Sequence, residues 1–155
     1  MKTLFSIMLS ISSVLSMAQG IAYDVNLLSN QTRKLVEGIA VENSIHGSGV
    51  GIAGVRTPQY ERFEELKKKA SSEELRVLTA HPNAAVRGHA FWALTIRKDA
   101  QAFNIMKASL QDSTEVSTFF GCIMDKELLI DFYISLMDPS EVEKAKGSPD
   151  GKKKH

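Results

Sequence analysis

The prediction of the fold begins with residues 81–94, HPNAAVRGHAFWAL. His81-Pro82 interrupts the chain, and the Asn83 side chain can accept a backbone N–H in the first turn of a following helix. Apolar side chains then recur at helical spacing, in one stripe with Val86, Ala90, Ala93 and Arg97 and in an adjoining stripe with Ala85, His89, Trp92 and Ile96. The pattern predicts a helix that begins after Asn83 and ends near Lys98.

Helices are also predicted on both sides of this stretch. Thr57 can cap a helix whose first residue is Pro58, and residues 71–74, SSEE, form a capping box that opens a short helix. The remaining predicted elements are a helix over about 24–45, a loop over 46–57, and helices that begin near Asp99, near Asp112 and near Leu129. Since no run of alternating residues predicts strands, the expected fold class is all-α.

Two units of this region align at an offset of 30 residues. The offset places Leu75 on Ile105 and Val86 on Val116, so each unit is a short helix, a capped turn and a second helix. A helix pair of this length cannot bury its apolar face alone, and stacking against neighbouring pairs would supply the core. The repeat therefore predicts a short α-solenoid of antiparallel helix pairs.

The first unit resembles the second-helix signature of HEAT repeats in their short bacterial form. The matching positions are Asn83, Val86, Arg87, Ala90, Ala93 and Leu94. The second unit departs from the signature, because Ser117 stands where the arginine should be and Phe120 replaces a small residue. The resemblance covers residues 71–124. It implies a HEAT-like solenoid and, since HEAT arrays mostly serve as binding scaffolds, a protein without catalysis of its own.

The N-terminal segment has the pattern of a secretory signal peptide. Lys2 precedes an apolar run over residues 4–15, and Ser16-Met17-Ala18 provides the small-x-small end of a cleavage site. The run is shorter than the roughly 20 apolar residues that span a bilayer. We expect cleavage near Ala18 and export to the periplasm or beyond the cell, with no integral membrane segment in the mature chain. The alternative is a buried N-terminal helix.

The predicted organisation has four parts: a signal peptide over 1–18, an N-terminal helix and Gly-rich loop over 19–57, a HEAT-like domain over 58–138 and a disordered basic tail over 139–155. The 155-residue chain carries a net charge of +1, yet residues 19–140 hold 13 basic and 15 acidic side chains. That balance lacks the basic surface that nucleic acid requires, so nucleic acid is not an expected partner.

Three patterns that suggest chemistry are assigned structural roles instead. Residues 49–54, GVGIAG, spell a dinucleotide-binding pattern but are not predicted to lie between a strand and a helix. The four histidines lack the spacing of a metal site. Cys122 is the single cysteine and lies among apolar residues, which predicts a small core residue. No catalytic residue, cofactor or metal is therefore expected.

Four residues are the candidates for partner binding or for contacts between repeats: His81, Arg87, His89 and Trp92. Arg87 can bond carbonyls or a capping side chain of an adjacent turn, and Trp92 is either a binding anchor or a core residue. The expected function is an exported scaffold or adaptor that binds an unidentified protein. The alternatives are a small-ligand carrier or lyase-like HEAT protein, with a polar pocket joining Arg87, His89 and His81, and an inhibitor or immunity factor.

Overall fold

A computed structural model describes residues 21–140 and 142. The predicted signal peptide and all of the predicted tail after Ser140 except Val142 lie outside these residues. In chain order the elements are a 3-10 turn (Val25–Leu27), α1 (Asn30–Glu42), β1 (Ser44–Val50), α2 (Pro58–Lys69), α3 (Ser72–Leu78), α4 (Ala84–Ile96), α5 (Ala102–Ala108), β2 (Glu115–Gly121), β3 (Ile123–Leu128) and α6 (Leu129–Leu136).

The described part of the chain is an α/β fold, so the predicted all-α solenoid is wrong. A three-stranded sheet has the order β1-β2-β3, with β1 parallel to β2 and β2 antiparallel to β3. The connection from β1 to β2 runs through α2, α3, α4 and α5. Consequently the range 58–138, predicted as helical repeats, contains two strands as well as five helices.

The hairpin of β2 and β3 replaces the helix predicted to begin near Asp112. Asp112 accepts hydrogen bonds from the Thr114 N–H at 2.9 Å and the Thr114 hydroxyl at 2.5 Å, which makes a local turn instead of a helix start. Val116 and Thr118 are buried while Ser117 is exposed, as in a strand. Val86 lies on a helix and Val116 on a strand, so the 30-residue repeat does not exist in the structure.

Strand β1 occupies the end of the helix predicted over about 24–45 and the start of the segment predicted as a loop. It pairs with β2 in the register Ser44–Ser117, Ile45–Thr118 and His46–Phe119. Its glycines are why the sequence does not predict a strand here. Gly47 is needed for packing, because a Cβ at this position would lie 2.7 Å from Cδ1 of Phe120. The glycine lets the Phe120 ring cross β1 on the helix-covered face of the sheet.

Several predicted helix starts are confirmed. Thr57 caps α2 by accepting the Tyr60 N–H at 3.2 Å, the capping box of Ser71 and Glu74 opens α3, and Asn83 caps α4 by accepting the Val86 N–H at 3.0 Å. The last predicted helix is α6. Local hydrogen bonds define each of these starts, which is why the sequence predicts them.

Helix α4 is the centre of the core. Nine of its residues are buried: Ala84, Ala85, Val86, Gly88, His89, Ala90, Phe91, Ala93 and Leu94. Phe91 stacks on Tyr133 of α6 with ring centroids 3.9 Å apart. Small residues in α4 permit close approach of the sheet and the neighbouring helices. No helix within residues 21–140 is long and apolar enough to cross a membrane.

Candidate functional site

Arg87 and His81 lie together at the start of α4. The Arg87 guanidinium donates to the His81 carbonyl at 3.4 Å and to the Asp112 carboxylate at 3.1 Å. Burial raises the pKa of Asp112, but hydrogen bonds from Thr114 and the charge of Arg87 outweigh it and hold that pKa below its usual value. Arg87 thus ties the start of α4 to the turn before β2.

The His81 ring makes contacts of its own. Its Nδ1 accepts the Asn83 N–H at 3.0 Å, and the ring meets Tyr23 edge-on with centroids 4.7 Å apart. Burial lowers the pKa of His81. Because Nδ1 is an acceptor and the pKa is lowered, the ring is neutral at neutral pH.

His89 is fully buried and is not joined to Arg87 or His81 by a hydrogen bond. Its Nδ1 donates to the Ala85 carbonyl at 2.7 Å, and its Nε2 has no hydrogen-bond partner among the described residues. Burial lowers the pKa of His89 to about 4. The polar pocket expected for a ligand carrier from Arg87, His89 and His81 is therefore not formed by these contacts.

Trp92 belongs to an aromatic cluster between the helices and the sheet. It stacks on Phe63 with centroids 4.2 Å apart and also contacts Tyr60, Phe120 and Phe132. The Trp92 side chain is half-buried. This placement gives it extensive contacts inside the fold, with part of its ring system at the surface.

Two turns at one end of the sheet present exposed apolar side chains. Residues 51–54 turn the chain between Val50 and Val55, and Gly121-Cys122 turns it between β2 and β3. The Gly51 N–H donates to the Gly121 carbonyl at 2.7 Å, which holds the two turns side by side. We call the exposed apolar residues of these turns the tip surface: Ile52, Val55, Phe120, Ile123 and Met124.

The tip surface is strongly exposed and uncharged. Ile52 is 100% exposed, Met124 77% and Ile123 69%. The two segments that carry the tip surface, residues 49–55 and 119–124, contain no charged side chain. Contiguous exposed apolar side chains commonly mark an interaction surface in a soluble domain. The tip surface is therefore the strongest candidate for partner contact.

The sequence does not predict the tip surface, because residues 46–57 fit the pattern of a loop and the residues after Asp112 fit that of a helix. In the structure Gly51 and Gly54 have φ of 70° and 61°, so the glycines of the GVGIAG segment allow a tight turn. Gly121, with φ of 56°, does the same for the hairpin. Cys122 lies beside it and is exposed, so its prediction as a core residue is wrong.

Comparison with known proteins yields no family model, no curated protein and no solved structure that matches the chain.

Proposed function

We propose that this chain is a binding protein that docks a partner protein through the tip surface. The observation that carries the proposal is the exposure of Ile52, Ile123 and Met124 on two turns that a backbone hydrogen bond holds together. Burying such a side chain against a partner yields about 1.5–3 kcal/mol. Ile123 lies on the helix-covered face of the hairpin and Met124 on the opposite face, so a partner that wraps the end of the hairpin can bury both together with Ile52.

Strand β3 favours a protein over a lipid surface as the partner. Within the described residues it pairs with β2 on one side only, so its other edge offers backbone N–H and C=O groups next to the tip surface. An extended segment of a protein can bond such an edge, as in β-strand addition. A lipid surface leaves those groups without partners.

The charges on β3 favour a different protein over a second copy. In the two registers that overlap β3 most fully when two copies pair about a two-fold axis, either Asp125 faces its own counterpart, or Lys126 does so while Asp125 faces Glu127. Like charges directly opposite one another destabilise a strand pair. Charged edge strands are a common protection against self-association.

Sequence features support two further parts of this proposal. Residues 1–18 support export, which predicts a mature chain that begins at Gln19; N-terminal sequencing of the protein from its native cells tests this, and an intact Met1 contradicts it. The HEAT resemblance is proposed only for the helix pair of α3 and α4, which carries its first unit.

Site-specific photo-crosslinking tests the docking proposal. A crosslinking residue is placed at Ile52, at Ile123 and, as a control, at Val41, which is 88% exposed on α1. We expect the same protein to be captured from both tip positions and not from Val41. The purified partner should then bind the Ile52→Ser variant at least 10-fold more weakly than wild type. Equal capture from all three positions, capture of lipid alone, or unchanged affinity of Ile52→Ser contradicts the proposal.

A further inference from the structure

The face of the sheet opposite the helices carries polar side chains next to apolar ones. Two rows cross the three strands there: Ser44, Ser117 and Lys126 in one, and His46, Phe119 and Met124 in the next. These residues line a cleft of about 820 Å³, together with Glu42 and Asp125. Hydroxyls and an imidazole thus lie beside an apolar strip in one concave site.

Ser44 and His46 have the geometry of a nucleophile and its base. Ser44 Oγ lies 2.9 Å from His46 Nε2, and His46 Nδ1 lies 2.9 Å from Thr57 Oγ1. A base within hydrogen-bond reach of a hydroxyl and oriented by a third group is the arrangement that activates a serine. The spacing Ser-x-His achieves this because alternate residues of a strand share a face.

The hydrogen bonds of Thr57 are compatible with the tautomer that such a base needs. Thr57 Oγ1 already accepts the Tyr60 N–H as the cap of α2. With its other lone pair it can accept a hydrogen bond from His46 Nδ1–H, and in that tautomer Nε2 is the acceptor for the Ser44 hydroxyl. Thr57 therefore acts as a positioning residue for His46.

A hydrogen bond from a buried side chain of α2 fixes the backbone of Ser44. The buried Gln59 side chain donates to the Ser44 carbonyl at 2.7 Å and to the Ile39 carbonyl at 3.2 Å. These bonds join α1, the start of β1 and α2. A nucleophile on a fixed strand meets the requirement that a reacting group be preorganised.

We propose that Ser44 is the nucleophile of an acyl-transfer site that hydrolyses small uncharged esters, with His46 as general base. Ser44 Oγ attacks the carbonyl carbon while its proton passes to His46 Nε2. The C–O bond of the ester breaks, and the departing alkoxide takes that proton. A water molecule, deprotonated by His46, then attacks the acyl-serine; the acid leaves and Ser44 Oγ regains a proton.

The other residues of the cleft define the substrate class. Ser117, one strand away from Ser44 at a spacing of about 4.8 Å, supplies a hydroxyl that can donate to the developing oxyanion. Phe119 and Met124 offer an apolar surface for the acyl group. Glu42 and Asp125 on the lining disfavour anionic substrates, since the Lys126 ammonium on the same lining is paired with Glu115. This activity is independent of the tip surface, although Met124 belongs to both.

The rate should follow the neutral form of His46. Burial lowers the pKa of His46 below 6.5, and the charge of Glu42 opposes this. Asp125 and Lys126 line the same cleft. His89 on α4 interacts electrostatically with His46 and is neutral above about pH 5, because its own pKa is about 4. We expect the rate to rise with pH, with a midpoint below 6.5, and then to level off.

Turnover of p-nitrophenyl acetate by the full chain tests the proposal. Removing the nucleophile in Ser44→Ala or the base in His46→Ala should lower the rate about 100-fold or more. Ser48→Ala changes an exposed serine of the same strand outside the cleft and should keep the wild-type rate. Peptide mapping after rapid acid quenching should find the acetyl group on Ser44. Thermal unfolding curves establish that each variant is folded.

Two results would overturn the assignment: a wild-type rate in Ser44→Ala, or acetylation of lysines with none on Ser44. Thr57 supplies a separate check through the pH profile. Thr57→Ser keeps the hydroxyl and should keep the midpoint, whereas Thr57→Val should lower the rate and move the midpoint, because His46 loses its oriented tautomer. Identical profiles for these two variants would contradict the role of Thr57.

Discussion

Gly88 of α4 lies directly over Ile45 of β1, and a Cβ on Gly88 would overlap Cδ1 of Ile45 and come within 3.4 Å of Cδ1 of Leu129. The central helix therefore rests on the sheet at a position that has no side chain. Both Ile45 and Gly88 are buried, so the neighbouring atoms have little room to move.

Gly88→Ala should destabilise the protein by about 1–3 kcal/mol, although the same change in an exposed helix stabilises by up to about 1 kcal/mol. The overlap with Ile45 is the physical reason. Urea denaturation measures the change in the free energy of unfolding. The double variant Gly88→Ala with Ile45→Val removes the overlapping methyl and should regain part of the loss. A stabilised single variant would show that the helix has room to shift.

The sequence predicts the elements that local contacts define, and it does not predict those that depend on contacts between distant residues. Thr57, Ser71 and Asn83 cap helices within three residues of themselves, so each start can be read from a short window. The β2–β3 hairpin cannot be predicted from a short window, because its apolar residues also fit helical spacing: Val116, Phe119, Phe120 and Ile123. Residues 115–121 form a strand because they pair with β1, about 70 residues upstream.

The candidate sites also depend on contacts between distant residues, so the sequence does not predict them. Ser44 and His46 share a face only if residues 44–50 form a strand, and Gly47 and Gly49 make that segment resemble a loop. Thr57 reaches His46 from another element, at a distance that no sequence pattern encodes. By contrast, Arg87 is expected from the sequence to bond a carbonyl of an adjacent turn, and in the structure it donates to the carbonyl of His81, six residues away.

Glu74 joins the starts of two helices and should make stability depend on acid pH. Its carboxylate accepts the Ser29 N–H at 2.7 Å and the Ser71 N–H at 2.8 Å. Burial raises the pKa of Glu74, but these bonds outweigh it and lower the pKa to about 2. The contribution is therefore present above pH 4.5 and lost as pH falls toward 2.

Glu74→Gln tests this through urea unfolding at several pH values. We expect the variant to be less stable than wild type at pH 6 and the difference to shrink as pH falls from 4.5 toward 2. Glu73→Gln, on the same helix and more exposed, serves as the control and should show no such convergence. A constant difference between wild type and Glu74→Gln across this range would contradict the cause.

His89 should destabilise the fold at a higher pH than Glu74 does. Its pKa is about 4 in the fold and near 6.5 in the unfolded chain, so the unfolded state binds more protons between these values. Stability is unaffected above pH 6.5 and falls by about 3 kcal/mol as pH drops to 4. His89→Gln keeps a donor for the Ala85 carbonyl and should remove most of this slope. An unchanged slope would place the titration on His46 or His81.

Arg87 should contribute to stability through its fork of two bonds. Arg87→Lys has a single ammonium that cannot serve both the His81 carbonyl and the Asp112 carboxylate, and we expect a loss of about 2 kcal/mol in the free energy of unfolding. Arg56→Lys is the matched control, because Arg56 pairs with Glu61 in solvent and its replacement should have no measurable effect. Equal effects of the two substitutions in urea denaturation would show that partial burial adds nothing to the contribution of Arg87 to the free energy of unfolding.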